Sequence, residues 1–154
     1  LFAFHRSFTA PIYVREMEET LDYILKPRGI SPEQERLVRE MFSQLAAELE
    51  SFPRCFVHRD FHAWNLMIDC EERIRVIDFQ DALLGTRSYD LISLLNDRDA
   101  DASLGAELYV HLVRRFAAHF GPDFRDEYDR ALLQRDLKVA GRFAKLSLTR
   151  GLRR

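Results

Sequence analysis

An α+β fold, mostly helical, is predicted by three observations. Apolar residues recur at three- and four-residue steps in 14–26, 31–50 and 103–120. Short apolar runs stand at 55–58, 66–69 and 74–77, the last rich in β-branched residues, with turn formers beside them. The order is helix, then a small strand cluster, then helices, without the strand–helix alternation of a parallel sheet.

Residues 1–12 are aromatic-rich and irregular, with Pro11 as a break. The spacing of Met17, Leu21, Ile24 and Leu25 predicts a short helix over 14–26, stopped by Pro27 and Gly29. Ser31-Pro32-Glu33-Gln34 opens a second helix with a hydroxyl cap, a proline in the first turn and a glutamine that can complete a capping box. Leu37, Val38, Met41, Phe42, Leu45 and Leu49 form its apolar face as far as Glu50, before Pro53. Residues 55–58 read as a buried strand and 59–65 as a loop. Leu66 to Asp69 and Ile74 to Ile77 read as two strands joined by Cys70-Glu71-Glu72-Arg73, a hairpin. Asp78 to Arg87 reads as loop with Gly85 as its breaker, and Tyr89 to Asn96 as a buried helix. A charged loop over 97–102 precedes an amphipathic helix, Ser103 to Phe120, that Gly121-Pro122 ends. One or two further helices over 123–150 turn Phe124, Tyr128, Leu132, Val139, Phe143 and Leu146 inward.

At 154 residues the chain is one domain or the larger part of one, and its 47% hydrophobic residues suffice for a core. The formal charge of −2 forecasts no bulk attraction to nucleic acid. No apolar run approaches the roughly 20 residues of a membrane span, and the start lacks a signal-peptide pattern. Two cysteines, Cys55 and Cys70, are too few for a disulfide framework, so a reduced, cytoplasmic setting is expected. The chain opens on Leu1 and ends on Arg153-Arg154 without a capping signal, and reads as part of something longer.

The chemistry is concentrated in Val57-His58-Arg59-Asp60-Phe61-His62-Ala63-Trp64-Asn65-Leu66 and Val76-Ile77-Asp78-Phe79-Gln80-Asp81. Asp60, on a loop after a strand, is placed to accept or align the proton of an alcohol nucleophile. An asparagine amide oxygen and a carboxylate are hard donors suited to Mg²⁺. If strands 66–69 and 74–77 pair, Asn65 and Asp78 emerge at the same end, where one metal can touch both. A lone Asp or Asn after a strand is ordinarily a turn residue; the shared hairpin end argues for more. His58 and His62 lack the ligand number and spacing of a zinc site. His58 reads instead as an internal hydrogen-bonding residue. A base, an amide ligand and a carboxylate ligand in this order are what phosphoryl transfer from a nucleotide requires.

The pattern His58-x-Asp60-x-x-x-x-Asn65 resembles the catalytic loop of the protein-kinase-like aminoglycoside phosphotransferase superfamily. Asp78-Phe79-Gln80 is similar to its metal-binding motif, with glutamine where protein kinases carry glycine, which favours a small-molecule kinase. Tyr89-Asp90-Leu91-Ile92-Ser93-Leu94-Leu95 is similar to the segment that follows. Gly85, Leu133-Gln134-Arg135-Asp136-Leu137-Lys138-Val139 and Phe143-Ala144-Lys145-Leu146 extend the similarity over about residues 31–150. They resemble the branch that phosphorylates the anomeric hydroxyl of N-acetylmuramate and N-acetylglucosamine in cell-wall recycling.

The resemblance implies Asp60 as catalytic base, Asn65 and Asp78 as Mg²⁺ ligands, and His58 and Asp90 as loop supports. It places Arg59, His62, Gln80 and Asp81 near the substrate cleft. ATP or GTP with Mg²⁺ are the implied cofactors, and a sugar or other small alcohol the partner. Only 57 residues precede His58, they read mainly as helix, and six unclustered glycines make no phosphate-covering loop. The expectation is a kinase C-terminal lobe over 31–154, an interlobe or N-terminal helical segment over 1–30, and no nucleotide lobe. A homodimer through exposed apolar surface around Phe2, Phe4 and Phe8 is expected. A non-catalytic module, an aminoglycoside or other small-alcohol kinase, and a metal-dependent phosphohydrolase stay open as alternatives.

Overall fold

The structure, a computed structural model, describes residues 5–149, without the side chains at 98, 99 and 101–103. The chain separates into two compact units: one holds the residues up to Ser7 and Pro53–Ala131, the other Phe8–Phe52 and the residues from Leu132. The boundary expected between residues 30 and 31 falls inside the second unit.

In the second unit α1 (Ala10–Thr20) runs on through a π turn, Leu21–Leu25, and a 3₁₀ turn, Lys26–Arg28, which Gly29 closes at φ 80°. Helix α2 (Pro32–Ser51) begins with the full capping box: Ser31 Oγ accepts from Gln34 N–H and Gln34 Oε1 from Ser31 N–H. The two helices lie antiparallel. Ala10 N–H donates to Glu50, Glu18 pairs with Arg39, and Lys26 with Glu35. Between them Phe8 and Tyr13 stack with centroids 4.7 Å apart, and Met17, Leu21, Phe42, Leu45, Ala46 and Leu49 are buried.

The last helix, α5 (Phe124–Thr149), passes from the first unit into the second. Along α1 it forms a polar row. Glu16 meets Gln134 and Lys138 at 3.1 Å each, Glu19 meets Arg142 and Lys145, and Thr20 Oγ1 donates to the Leu137 carbonyl. At Gly141 a Cβ would run into the backbone of Glu19 and Thr20, so the helices approach there as only glycine allows.

In the first unit β1 (Arg54–Val57) pairs antiparallel with β4 (Leu83–Thr86) from Arg54↔Thr86 to Val57↔Leu83. Strands β2 (Leu66–Ile68) and β3 (Ile74–Val76) form a separate antiparallel hairpin, Leu66↔Val76 to Ile68↔Ile74. Helices α3 (Tyr89–Leu95), α4 (Arg98–Phe120) and the start of α5 complete the unit. Its helical core includes Leu91, Ile92, Leu95, Val113, Phe124 and Tyr128, with the rings of Phe116, Phe120 and Phe124 in mutual contact.

Several expectations are corrected. Pro11 does not break the chain; it lies in the first turn of α1, where its missing N–H costs no helical bond. Leu83–Thr86 is strand rather than loop, because β1 needs a partner and Gly85 faces Cys55 across the pair. Helix α4 starts at Arg98, inside the expected loop, and Gly105 interrupts it at φ 64°. Leu37 and Met41 on α2 and Phe143 on α5 are exposed. Of β1 only Val57 is buried; Phe56 is exposed.

Phe8 is 1% exposed and so offers no apolar surface, while Phe2 and Phe4 lie outside the described residues. Among the described residues the hairpin shows apolar surface, with Met67, Ile68, Ile74, Val76 and Ile77 exposed and Trp64 and Phe79 beside it. Cys55 and Cys70 are free thiols. No helix among the described residues is long and apolar enough to cross a membrane.

Candidate active site

The site is built where β1 ends and the chain turns irregular. His58 is 3% exposed, and Arg59 takes a left-handed backbone at φ 75°. Such a conformation costs a non-glycine residue of order 1–3 kcal/mol and persists only where the surroundings fix it. Asp90, in the first turn of α3, fixes it. Its Oδ2 accepts the His58 N–H at 2.7 Å and its Oδ1 the Arg59 N–H at 3.1 Å. Burial pushes the Asp90 carboxyl above its usual range, against the opposing pull of these two amides.

Asp60 therefore leaves a clamped dipeptide and points its exposed carboxylate outward. His62 Nε2 lies 3.1 Å from Asp60 Oδ1. The Asn65 amide nitrogen donates to the Asp60 carbonyl at 2.8 Å and to Oδ2 at 3.3 Å. Each Asp60 oxygen is thus steadied by one neighbour. A 3₁₀ turn, Ala63–Asn65, lets Asn65 reach back, and the asparagine is 7% exposed.

The Ile77 peptide joins the two motifs. Its N–H donates to the Asn65 carbonyl at 3.1 Å, one step beyond the Leu66↔Val76 pair of the hairpin. Its carbonyl accepts from His58 Nε2 at 2.8 Å, which sets the proton on that nitrogen. Asp78 follows at once, also left-handed at φ 65° and exposed. Asn65 and Asp78 therefore emerge at one end of the hairpin.

With its nitrogen turned to Asp60, the Asn65 amide has Oδ1 free in chemistry for a cation. One amide and one carboxylate suit Mg²⁺, which binds few protein ligands and keeps waters or phosphate oxygens. No group of three or more His, Cys, Asp or Glu able to hold a metal occurs among the described residues.

Asp60, His62, Asn65, His58 and Asp90 are thus in direct or one-step contact, with Asp78 next to the clamped Ile77. Gln80 and Asp81 lie in an exposed turn closed by Ala82 N–H on the Phe79 carbonyl, and no hydrogen bond among the described residues ties them to the cluster. Arg59 enters through its backbone N–H. The Ile77 carbonyl and the left-handed residues were not foreseen: a main-chain acceptor on an apolar residue leaves no sequence signal.

A phosphotransferase enzyme family model, APH, matches residues 4–142. The chain belongs to that family. A Neisseria meningitidis N-acetylmuramate/N-acetylglucosamine kinase is 41% identical over 129 residues, which cover 77% of this chain and 38% of that protein. A Pseudomonas aeruginosa protein of the same name is 32% identical over 134 residues, 80% of this chain and 39% of its own length. This member of the APH family therefore spans under two fifths of the relatives it matches.

Proposed function

We propose that this chain is the catalytic and acceptor-binding part, centred on 31–154, of a kinase that transfers phosphate from ATP or GTP to a hydroxyl of a small molecule. The acceptor is an amino sugar of the N-acetylmuramate or N-acetylglucosamine type, a reading supported by the names of the two relatives. The observation that carries the proposal is the Ile77 peptide, held between His58 and Asn65, which brings Asp78 to the hairpin end where Asn65 braces Asp60.

In this reading Asp60 accepts the proton of the acceptor hydroxyl, while His62 and Asn65 hold its oxygens in line. Asn65 Oδ1 and Asp78 would hold Mg²⁺. The ion, when bound, neutralises charge on the nucleotide phosphates. Asp90 and His58 keep the loop in its strained shape. Free thiols and nucleotide use fit a cytoplasmic setting.

Turnover of Mg²⁺-ATP against a panel of amino sugars, aminoglycosides and simple alcohols tests it. Asp60→Ala should lower kcat by about 10²–10⁴-fold with nucleotide binding intact. Asp78→Ala should weaken Mg²⁺-nucleotide binding measured by calorimetry. Near-normal turnover of Asp60→Ala defeats the base assignment. Phosphate release that needs no acceptor points to a hydrolase, and preference for an aminoglycoside moves the acceptor class.

A further inference from the structure

Arg87 and Glu127 lie outside the residues assigned above, yet they meet in the first unit as a buried ion pair. Glu127, in the first turn of α5, is 0% exposed. A carboxylate taken this far from water is costly unless its lone pairs are met. Its Oε2 accepts from Arg87 Nε at 2.9 Å, and its Oε1 from the Ser88 N–H at 2.8 Å. Ser88 is the N-cap of α3, and its own hydroxyl makes no capping bond. A carboxylate from α5 therefore serves the start of α3, a role that a local Ser or Asp side chain ordinarily fills. Arg87 also donates from Nη1 to the Phe120 carbonyl at 3.2 Å, in the last turn of α4, with its guanidinium 5.3 Å over the Phe120 ring.

One ion pair thus ties the start of α3, the end of α4 and the start of α5. Two residues after Ser88 stands Asp90, which accepts the backbone N–H groups of His58 and Arg59. Helix α3 has only seven residues, so its placement depends on how its ends are held. Apolar residues could pack these helices equally well; a guanidinium that donates from Nε to Glu127 and from Nη1 to the Phe120 carbonyl, while the other carboxylate oxygen takes the Ser88 N–H, also fixes direction.

We propose that Glu127 and Arg87 are positioning residues for phosphoryl transfer: they seat the start of α3 so that Asp90 holds the His58–Arg59 backbone and, through it, Asp60. The inference rests on the phosphotransferase reading for its catalytic consequence, but not for its structural one.

The test compares Glu127→Gln, and the milder Arg87→Lys, with wild type in the full chain. Glu16→Gln, which weakens an ion pair of the second unit, is the control for lost stability. Hydrogen exchange read by NMR at the His58 and Arg59 amides should accelerate about tenfold in Glu127→Gln and less in Arg87→Lys. The kcat should fall about tenfold, with KM for the acceptor within about twofold. On an Asp90→Asn background Glu127→Gln should add less than about twofold, because its effect passes through Asp90. Glu16→Gln should lower the melting temperature and leave the two amides and kcat unchanged.

Exchange at His58 and Arg59 within about twofold of wild type in both variants overturns the proposal, as does acceleration no greater than in Glu16→Gln. If the complete protein that carries this chain transfers no phosphate while the two amides still loosen in Glu127→Gln, the kinase reading fails and the relay from Glu127 to the loop stands. Wild-type turnover with unmoved amides defeats the relay alone.

Discussion

The two units are held in different ways. In the second, helix sides meet along their length. The α1–α2 seam is sealed by apolar side chains, and the α1–α5 row repeats a polar contact at successive turns. Ion pairs on α2 such as Arg36 with Glu33 and Glu40 are exposed and worth little each. In the first unit the ends of elements meet. A few carboxylates, Asp90 and Glu127 above all, grip backbone N–H groups that no strand or helix would satisfy. The difference teaches where each unit is vulnerable. Side-to-side packing spreads its stability over many residues, whereas end-to-end bonding concentrates it in single groups, which a strained loop requires.

That contrast can be broken first at Gly141, a place where the second unit depends on a single residue. Gly141→Ala should cost about 3 kcal/mol, since its methyl meets backbone rather than a yielding side chain. A denaturant melt with less than a third of that loss would show that the crossing is not tight.

In the first unit Asp90→Asn should cost about 2 kcal/mol, because an amide offers one acceptor where two N–H groups need partners. It should also carry a pH signature. The folded carboxyl titrates above the unfolded one, so the folded state binds more protons between the two values. Wild-type stability from this group is full below the ordinary carboxylate range and is lost as pH rises through the raised value. The gap between wild type and Asp90→Asn should therefore narrow with rising pH across that window; a gap that widens contradicts the burial argument.

Ser31→Ala tests the ordinary helical side of the comparison. Losing half of the capping box should cost about 1 kcal/mol and leave the site untouched. The smallest effect belongs to the hairpin turn. Glu72 is left-handed at φ 57°, so Glu72→Gly should gain about 0.5 kcal/mol, the relieved strain less the added freedom of the unfolded chain. A loss instead would mean that its side chain matters to the turn.

What could be read from the sequence follows the same division. The capping box at Ser31, the terminator Gly121-Pro122 and the hairpin around 70–73 rest on local rules, and each is where the residues predicted. Asn65 and Asp78 could be singled out because their spacing implies a shared hairpin end, and Asp60 because it stands on the loop that follows a strand. Strand β4 was hidden, since Leu83–Thr86 is strand only by virtue of β1, some 30 residues away in the chain. Leu37, Met41 and Phe143 follow a helical period and still face out, because periodicity marks a face without saying that another element covers it. Arg87 and Glu127 were hidden for a further reason: in isolation one is an ordinary charged turn residue and the other an ordinary charged helix residue, and only their meeting across 40 positions draws them together away from water.

The polar row between α1 and α5 has a bearing on how the chain is made. Glu16, Glu19 and Thr20 are synthesised more than a hundred residues before Gln134, Leu137 and Lys145. Until then α1 can dock on α2 but leaves one flank of acidic groups without the cations that later neutralise it. Contacts this far apart in sequence are slow to form and come late. On the ribosome the second unit can close only after α5 has emerged, by which time the strands and helices of the first are already available to fold.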